Sequence, residues 1–520
     1  MKKILKTMVS IVIILMLILN FTMVFAQPPQ KPSGEQPGGS MEAPPDKPEG
    51  ENMQGGNMGM PGSNGSSNVS HTGKTEISSD TINTGTSYSS TEGSQNALLV
   101  TGGNSTITNA NVTKTGDSSG DNADFYGVNA AVLVKEGTLN INGGTVTTNG
   151  SHANGVFAYS NGTINISDTN IKTTSNNSGA IMVTGGGNLI ANNVTAETDG
   201  NSSAPIRSDR GGGTLVVNGG NYTSHGTGSP VIYSTADITV NNSNLTSTAS
   251  EGVVVEGKNS VTLNNVTMEA TNTKLNSNSE TYKSIFIYQS MSGDAEVGTS
   301  SFTAKDSKIV NNKGEIIYVT NTNTVIELEN NEIINNDKTG GFLKIGAAKW
   351  GKSGSNGGTV VLNAKNQKME GDIFVDNIST LDLSLANGSS YLGTINAENS
   401  AKSIKITLDD SSTLTLTGDS YITSLENSVS DNSNINLNGH TLYVGEEAIT
   451  STNYSSEKIS SNKNDKSELE NNTGNVNENK EEISKNENID YKIYVIISIV
   501  IILIIVCTVI AVIKARKGDK

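Results

Sequence analysis

Three arginines occur in the whole chain, and two of them, Arg207 and Arg210, flank Asp209 in the stretch Pro205-Ile-Arg-Ser-Asp-Arg-Gly-Gly-Gly213. The third, Arg516, lies in the C-terminal tail. A guanidinium fork grips carboxylates and anionic sugars through paired hydrogen bonds, so this trio suggests a pocket for an acidic sugar or a polymer strand. The alternative is an internal Arg-Asp-Arg salt bridge that fixes a turn. The only tryptophan, Trp350, sits between Lys349 and Lys352 in a Gly- and Ser-rich segment. Its ring could stack on a sugar or cover the core. Arg207, Asp209, Arg210 and Trp350 are therefore the candidate ligand-binding residues. No catalytic set stands out. Asp409-Asp410 is an isolated pair before Ser411, His440 lies near the end of the patterned region, and catalysis usually needs paired acids or an activated base within reach. Met41, Met53, Met58 and Met60 lack regular spacing and histidine partners, so they read as part of a spacer and not as a soft-metal site. No metal and no cofactor is expected.

The elements that position these residues follow from a repeat. Between residues 138 and 268 one pattern returns at intervals in the twenties: Thr138-Leu-Asn-Ile-Asn-Gly-Gly, Thr163-Ile-Asn-Ile-Ser-Asp-Thr, Asn188-Leu-Ile-Ala-Asn-Asn, Thr214-Leu-Val-Val-Asn-Gly-Gly, Asp237-Ile-Thr-Val-Asn-Asn-Ser and Ser260-Val-Thr-Leu-Asn-Asn. A period of that size means a solenoid. Thr, Asn, Ser, Gly and Val favour strands and turns, and the leucine ladder of a leucine-rich repeat is missing. Stacking the repeats lines up Leu139, Ile164, Leu189, Leu215, Ile238 and Val261 in one apolar column. Two residues on, and so on the same face, come Ile141, Ile166, Ala191, Val217, Val240 and Leu263. Asn142, Ser167, Asn192, Asn218, Asn241 and Asn264 fall in register at the bend, where stacked asparagines can bond along the ladder. The next column, Gly143, Asp168, Asn193, Gly219, Asn242 and Asn265, holds residues that tolerate left-handed backbone.

Strand, bend, strand, loop, strand, turn is the rung of a parallel β-helix. Over roughly residues 75 to 445 the chain resembles the right-handed parallel β-helix proteins of the pectate-lyase-like superfamily found on bacterial cell surfaces. That resemblance implies an all-β right-handed solenoid. It does not settle activity. Lyases of that superfamily use clustered acidic calcium ligands with an arginine base. Its polygalacturonase-like hydrolases use several close aspartates and a Gly-His-Gly segment. Neither set is present here.

Within the repeat, Arg207 stands in a column whose neighbours are read as Phe157, Met182, Ile232 and Val255, so one charge interrupts an apolar column. Glu251, Glu256 and Lys258 lie in nearby columns. Several third strands are apolar on both faces, as if loops or a partner cover them. Gly185-Gly-Gly187 and Gly211-Gly-Gly213 fall in register, and tight turns explain them. His152 and His225 occupy similar places about three turns apart, ~14 Å at strand spacing, too far to share a metal. Residues 116 to 125 are expected as a polar loop, with insertions at 271 to 284 and 347 to 358. About thirteen turns would make a rod of roughly 60 Å.

The flanks are read from composition. Residues 1–26 carry Lys2, Lys3 and Lys6, an apolar core and Val24-Phe25-Ala26, and read as a secretory signal helix. Residues 27–74 are a disordered Pro/Gly/Met-rich linker, and 446–490 a disordered tether. Residues 491–513 are expected to be a transmembrane helix, with 514–520 a basic cytoplasmic tail. The net charge of −16 argues against nucleic acid as a partner. The only cysteine, Cys507, falls in the apolar C-terminal run, so no disulfide holds the exported part.

Together these features point to a single-pass protein of the cell membrane with its β-helix outside. The expected role is adhesin-like or glycan-contacting. The expected partners are an extracellular glycan or surface polymer and, through the C-terminal helix, the membrane. The alternatives are a lyase or hydrolase acting on an acidic glycan, with enzymatic activity disfavoured, and a passive surface spacer without a ligand.

Overall fold

A computed structural model describes residues 69–276, 279–290 and 292–449. The proposed signal, most of the linker, nearly all of the tether, the apolar C-terminal segment and the tail lie outside the described residues. Among the described residues no helix is long and apolar enough to cross a membrane.

Strands run from Gly73 to Ile449 and stack as a parallel β-solenoid of about fifteen turns. At ~4.8 Å per turn that is a rod of roughly 70 Å. The extra turns relative to the sequence estimate come from irregular coils. Thr299–Lys305 and Lys308–Asn311, for example, carry too few apolar residues to stand out. A regular turn contributes three short strands, such as Asp237–Asn241, Asn244–Ser247 and Val253–Glu256. Each pairs in parallel with its counterpart one turn away. The last turn is closed differently: Glu447–Ile449 folds back antiparallel on Leu442–Val444.

The first apolar column stacks as the repeat requires. Leu139 lies over Ile164, then Leu189, Leu215, Ile238 and Val261, and the file continues through Phe302, Ile326, Leu362, Leu383 and Ile406. One continuous core runs from Ile77 to Leu442. Around it the bends are pinned by amide ladders. Asn218 donates to Asn192 at 3.0 Å, and Asn241 to Asn218 and Asn264 to Asn241 at 2.9 Å. The neighbouring column takes up left-handed backbone throughout, with φ of 51° at Asp168, 53° at Asn193, 52° at Asn242 and 53° at Asn265. Its side chains form a second ladder, Asn193 to Asp168 at 2.7 Å and Asn265 to Asn242 at 2.8 Å. A short amide both accepts left-handed backbone and bonds to its neighbour, which is why asparagine dominates there.

Candidate functional site

The site is built on the outward face of the third strand of each turn. Ile206 and Ser208 of the strand Ile206–Ser208 point into the core, and Arg207 points out. Register places Leu99, Leu133, Phe157, Met182, Arg207, Tyr233, Val254, Phe286, Tyr318, Lys344 and Phe374 in one outer file. This corrects part of the column read from sequence. Tyr233 and Val254, not Ile232 and Val255, are the neighbours of Arg207. Pro205 and Pro230 invite alignment, but Ile206 pairs with Ile232, so the prolines are offset by one. A slip of one residue in a strand exchanges its faces.

An apolar outer file needs a cover, and two loops supply it. Leu99, Leu133, Phe157 and Met182 are buried at one end. There a short helix, Asp121–Tyr126, occupies the stretch expected as a polar loop. Thr184 donates to the Phe125 carbonyl at 2.7 Å, and Tyr126 meets Tyr159 edge to face. Gly127 (φ 70°) passes so close that a Cβ there would come within 2.9 Å of Leu133. At the other end Val254, Phe286 and Tyr318 are packed by Tyr233, Tyr288, Ala348 and Trp350. Trp350, in the insertion expected at 347 to 358, lies 5.1 Å from Tyr288 and 5.3 Å from Phe286, ring centre to ring centre.

Between the two covers the file is open, and a cavity of about 300 Å³ lies over Arg207 and Tyr233. Its walls include Asp124 and Phe125 from the helix, Asn177 and Ser202 from the turns, Asp209, and Tyr288, Asn276 and Asp294 from beyond. Asp294 belongs to a loop, described over 292–298, that the sequence reading did not single out. Arg207, Asp209 and Tyr288 thus share one cleft, whereas Trp350 packs on Tyr288 outside its lining. Arg210 stands at its edge, its guanidinium 4.0 Å from the centre of the Phe125 ring.

The arginines are already occupied. Arg207 donates to Asp209 at 2.9 Å and to the Ser202 carbonyl at 3.1 Å. Arg210 pairs with Asp294 at 2.6 Å and Asp121 at 3.1 Å. The Arg207–Asp209 pair is out of water, its side chains 12% and 4% exposed. Burial pushes the Asp209 carboxyl up to about 6, with Arg207 opposing and Asp294 adding to the rise. Burial works against the charge of Arg207, but Asp209 and Asp124 more than offset it and raise the guanidinium above its ordinary value. Behind the wall Glu256, 1% exposed, accepts hydrogen bonds from Tyr233 at 2.5 Å, from Tyr288 at 2.9 Å, and from Ser290. Burial lifts both phenols well above their usual range, and the Glu256 charge adds to this.

The other candidates separate from this cleft. His152 bonds Asp124 at 2.6 Å and so buttresses the helix. His225 lies elsewhere on the turn, bonding Thr248 and Glu197. The two histidines are thus not in matching places. Glu197, Asp199 and His225 bring donor atoms within 4.8 Å of one another. The Lys172 ammonium sits 2.7 Å from each of those two carboxylates, so a protein cation already balances them. Asp409 caps its own turn, accepting from Ser411 and Asn387. His440 lies 3.9 Å from Asp419. The two glycine triplets stack as expected, Gly213 over Gly187. A Cβ on Gly211 would come within 2.8 Å of Gly185, so close backbone approach explains them. A larger cavity of about 620 Å³ is lined by Val297 and Gly298 together with Asn321, Asn377 and Lys402. Among the described residues its lining holds neither an aromatic ring nor a carboxylate, and so less chemistry than the cleft over Arg207.

Sequence reasoning missed Tyr233, Tyr288, Asp124, Phe125 and Asp294. The two tyrosines were visible in recognised strands, and their facing was the missing datum. The helix and the 292–298 loop carry no repeat signal. No protein-family model, no curated protein and no solved structure matches the chain.

Proposed function

We propose that this chain is a cell-surface β-helix protein that holds a glycan in the cleft between its two covering loops. One observation carries the reading: a cavity of about 300 Å³ lined by Phe125, Tyr233 and Tyr288 together with Arg207, Asp209, Asn177 and Asp294. Flat rings that can stack on sugar faces, beside fixed polar groups that can bond hydroxyls, are what a glycan site requires. The finer expectations complete the reading. They are a right-handed winding of the pectate-lyase-like kind, a bacterial origin, export by a signal over 1–26, and a membrane segment over 491–513. The repeat, the parallel pairing and the residue pattern of the flanks support them.

The test is a glycan array probed with the full chain in detergent, followed by titration of the best hit. Binding reduced on the order of tenfold in Tyr233→Ala is expected, since stacking on one ring accounts for about that much. Absence of binding to every surface polymer would overturn the reading and leave the passive spacer. A second reading, cleavage of a glycan, draws on the raised carboxyl of Asp209 inside a cleft, a feature that gathers at catalytic centres. It predicts product formation from a bound polymer, lost in Asp209→Asn.

A further inference from the structure

The charge balance of the cleft says which glycan it takes. Among the described residues Arg207 is the one basic side chain in the lining, and Asp209 and the Ser202 carbonyl hold its two terminal nitrogens. Three carboxylates line the same space: Asp124, which also bonds His152 at 2.6 Å, Asp209 and Asp294. Arg210 reaches in from the edge, where it already serves both Asp294 and Asp121. Glu256 adds a further carboxylate behind the wall, met by three hydroxyls and no basic side chain. Because Tyr233 and Tyr288 give their protons to Glu256, their oxygens can only accept from a ligand. The cleft therefore presents acceptors, negative charge and aromatic rings.

A negatively charged sugar would meet like charge there with no free fork to hold it. This reverses the expectation raised by the arginines alone. An ammonium group has the opposite fit. It brings three donors and a positive charge, suits carboxylates, and gains from the face of a neighbouring ring. We propose that the cleft binds a glycan carrying free amines, a polymer of de-N-acetylated hexosamine, with the ammonium among Asp124, Asp209 and Asp294. This rests on the glycan-binding reading above and adds the class of sugar.

The test titrates the full chain in detergent with three probes of equal length: a glucosamine tetramer, an N-acetylglucosamine tetramer and a galacturonate tetramer. The glucosamine tetramer should bind on the order of tenfold tighter than its N-acetylated counterpart, and added salt should erase much of the difference. Asp124→Asn should weaken the glucosamine tetramer roughly threefold to tenfold, and weaken it more than the N-acetylated one. The salt titration needs no variant, so it stands even if Asp124→Asn disturbs the helix. Equal or tighter binding of the N-acetylated probe would overturn the amine assignment and leave glycan binding intact. Tightest binding of galacturonate would overturn the charge argument itself. Failure of all three probes to bind would overturn this assignment, while the glycan array decides the reading on which it rests.

Discussion

Arg207→Met tests the floor of the cleft. Methionine keeps most of the aliphatic stem of arginine, so little packing is lost and the change falls on charge. What remains is the Asp209 carboxylate, 4% exposed, without its cation. Removing one partner of a buried pair costs about 3–5 kcal/mol. Here the lower end applies, because the Arg210 backbone N–H still donates to Asp209 at 3.1 Å. A rod of about fifteen turns need not unfold in one step, so a global midpoint is the wrong readout. Amide hydrogen exchange in Ile206–Ser208 reads the local opening instead, and about 3 kcal/mol corresponds to exchange faster by roughly a hundredfold. The pH dependence supplies a second check. Asp209 titrates higher in the folded chain, at about 6, than a free carboxyl does. The penalty for its charge is therefore present above the folded value, fades as pH falls, and is gone below the unfolded value of about 3.9. Removing Arg207 raises the folded value further, so the variant should lose most at pH 8 and approach the parent near pH 4. Exchange within about threefold of the parent at pH 8 would show that the pair is neither buried nor holding the floor.

Two further perturbations probe the scaffold. Leu215→Ala, in the main apolar file, should cost about 2–5 kcal/mol, whereas Asn218→Ala, which breaks two ladder bonds, should cost about 1–2 kcal/mol, both read by exchange in the flanking turns. Equal losses would mean that the ladder and not the core fixes the stack. Asp337 accepts from the backbone N–H groups of Gly314 and Thr339 and from the Thr339 hydroxyl, and these bonds hold its carboxyl down to about 2. Its stabilising effect is present above the ordinary carboxylate range and lost as pH falls through about 2, so Asp337→Asn should speed amide exchange around Gly314 and Thr339 relative to the parent at pH 6 and not near pH 2.

How much of this could be read from the letters depended on how far each residue takes part in the repeat. The inward files, the asparagine ladder and the left-handed column were legible because every turn restates them, and Leu139 through Val261 stack as the alignment requires. Arg207, Asp209 and Arg210 were legible as an anomaly, since a charge in an apolar file breaks the pattern. Their partners were not. Asp294 reaches Arg210 across 84 positions and Asp121 across 89, through loops that occur once and so carry no period. The facing of Tyr233 turned on a single residue of register, and the misleading match of Pro205 with Pro230 hid it. The Arg207–Asp209 contact was legible as the salt-bridge alternative, two positions apart, whereas the carboxylates around Arg210 come from those unrepeated loops.

The parallel stacking has one more consequence. Each turn touches only the turns on either side, so length is an adjustable property of this architecture. Thr380 lies over Ser403 and Leu383 over Ile406. Excising 380–402 would therefore seat the following turn on the preceding one with like residues in like places. The rod could thus be shortened or extended by whole rungs away from Arg207, altering how far the cleft stands from whatever its ends are tied to while the ligand-facing chemistry stays as it is.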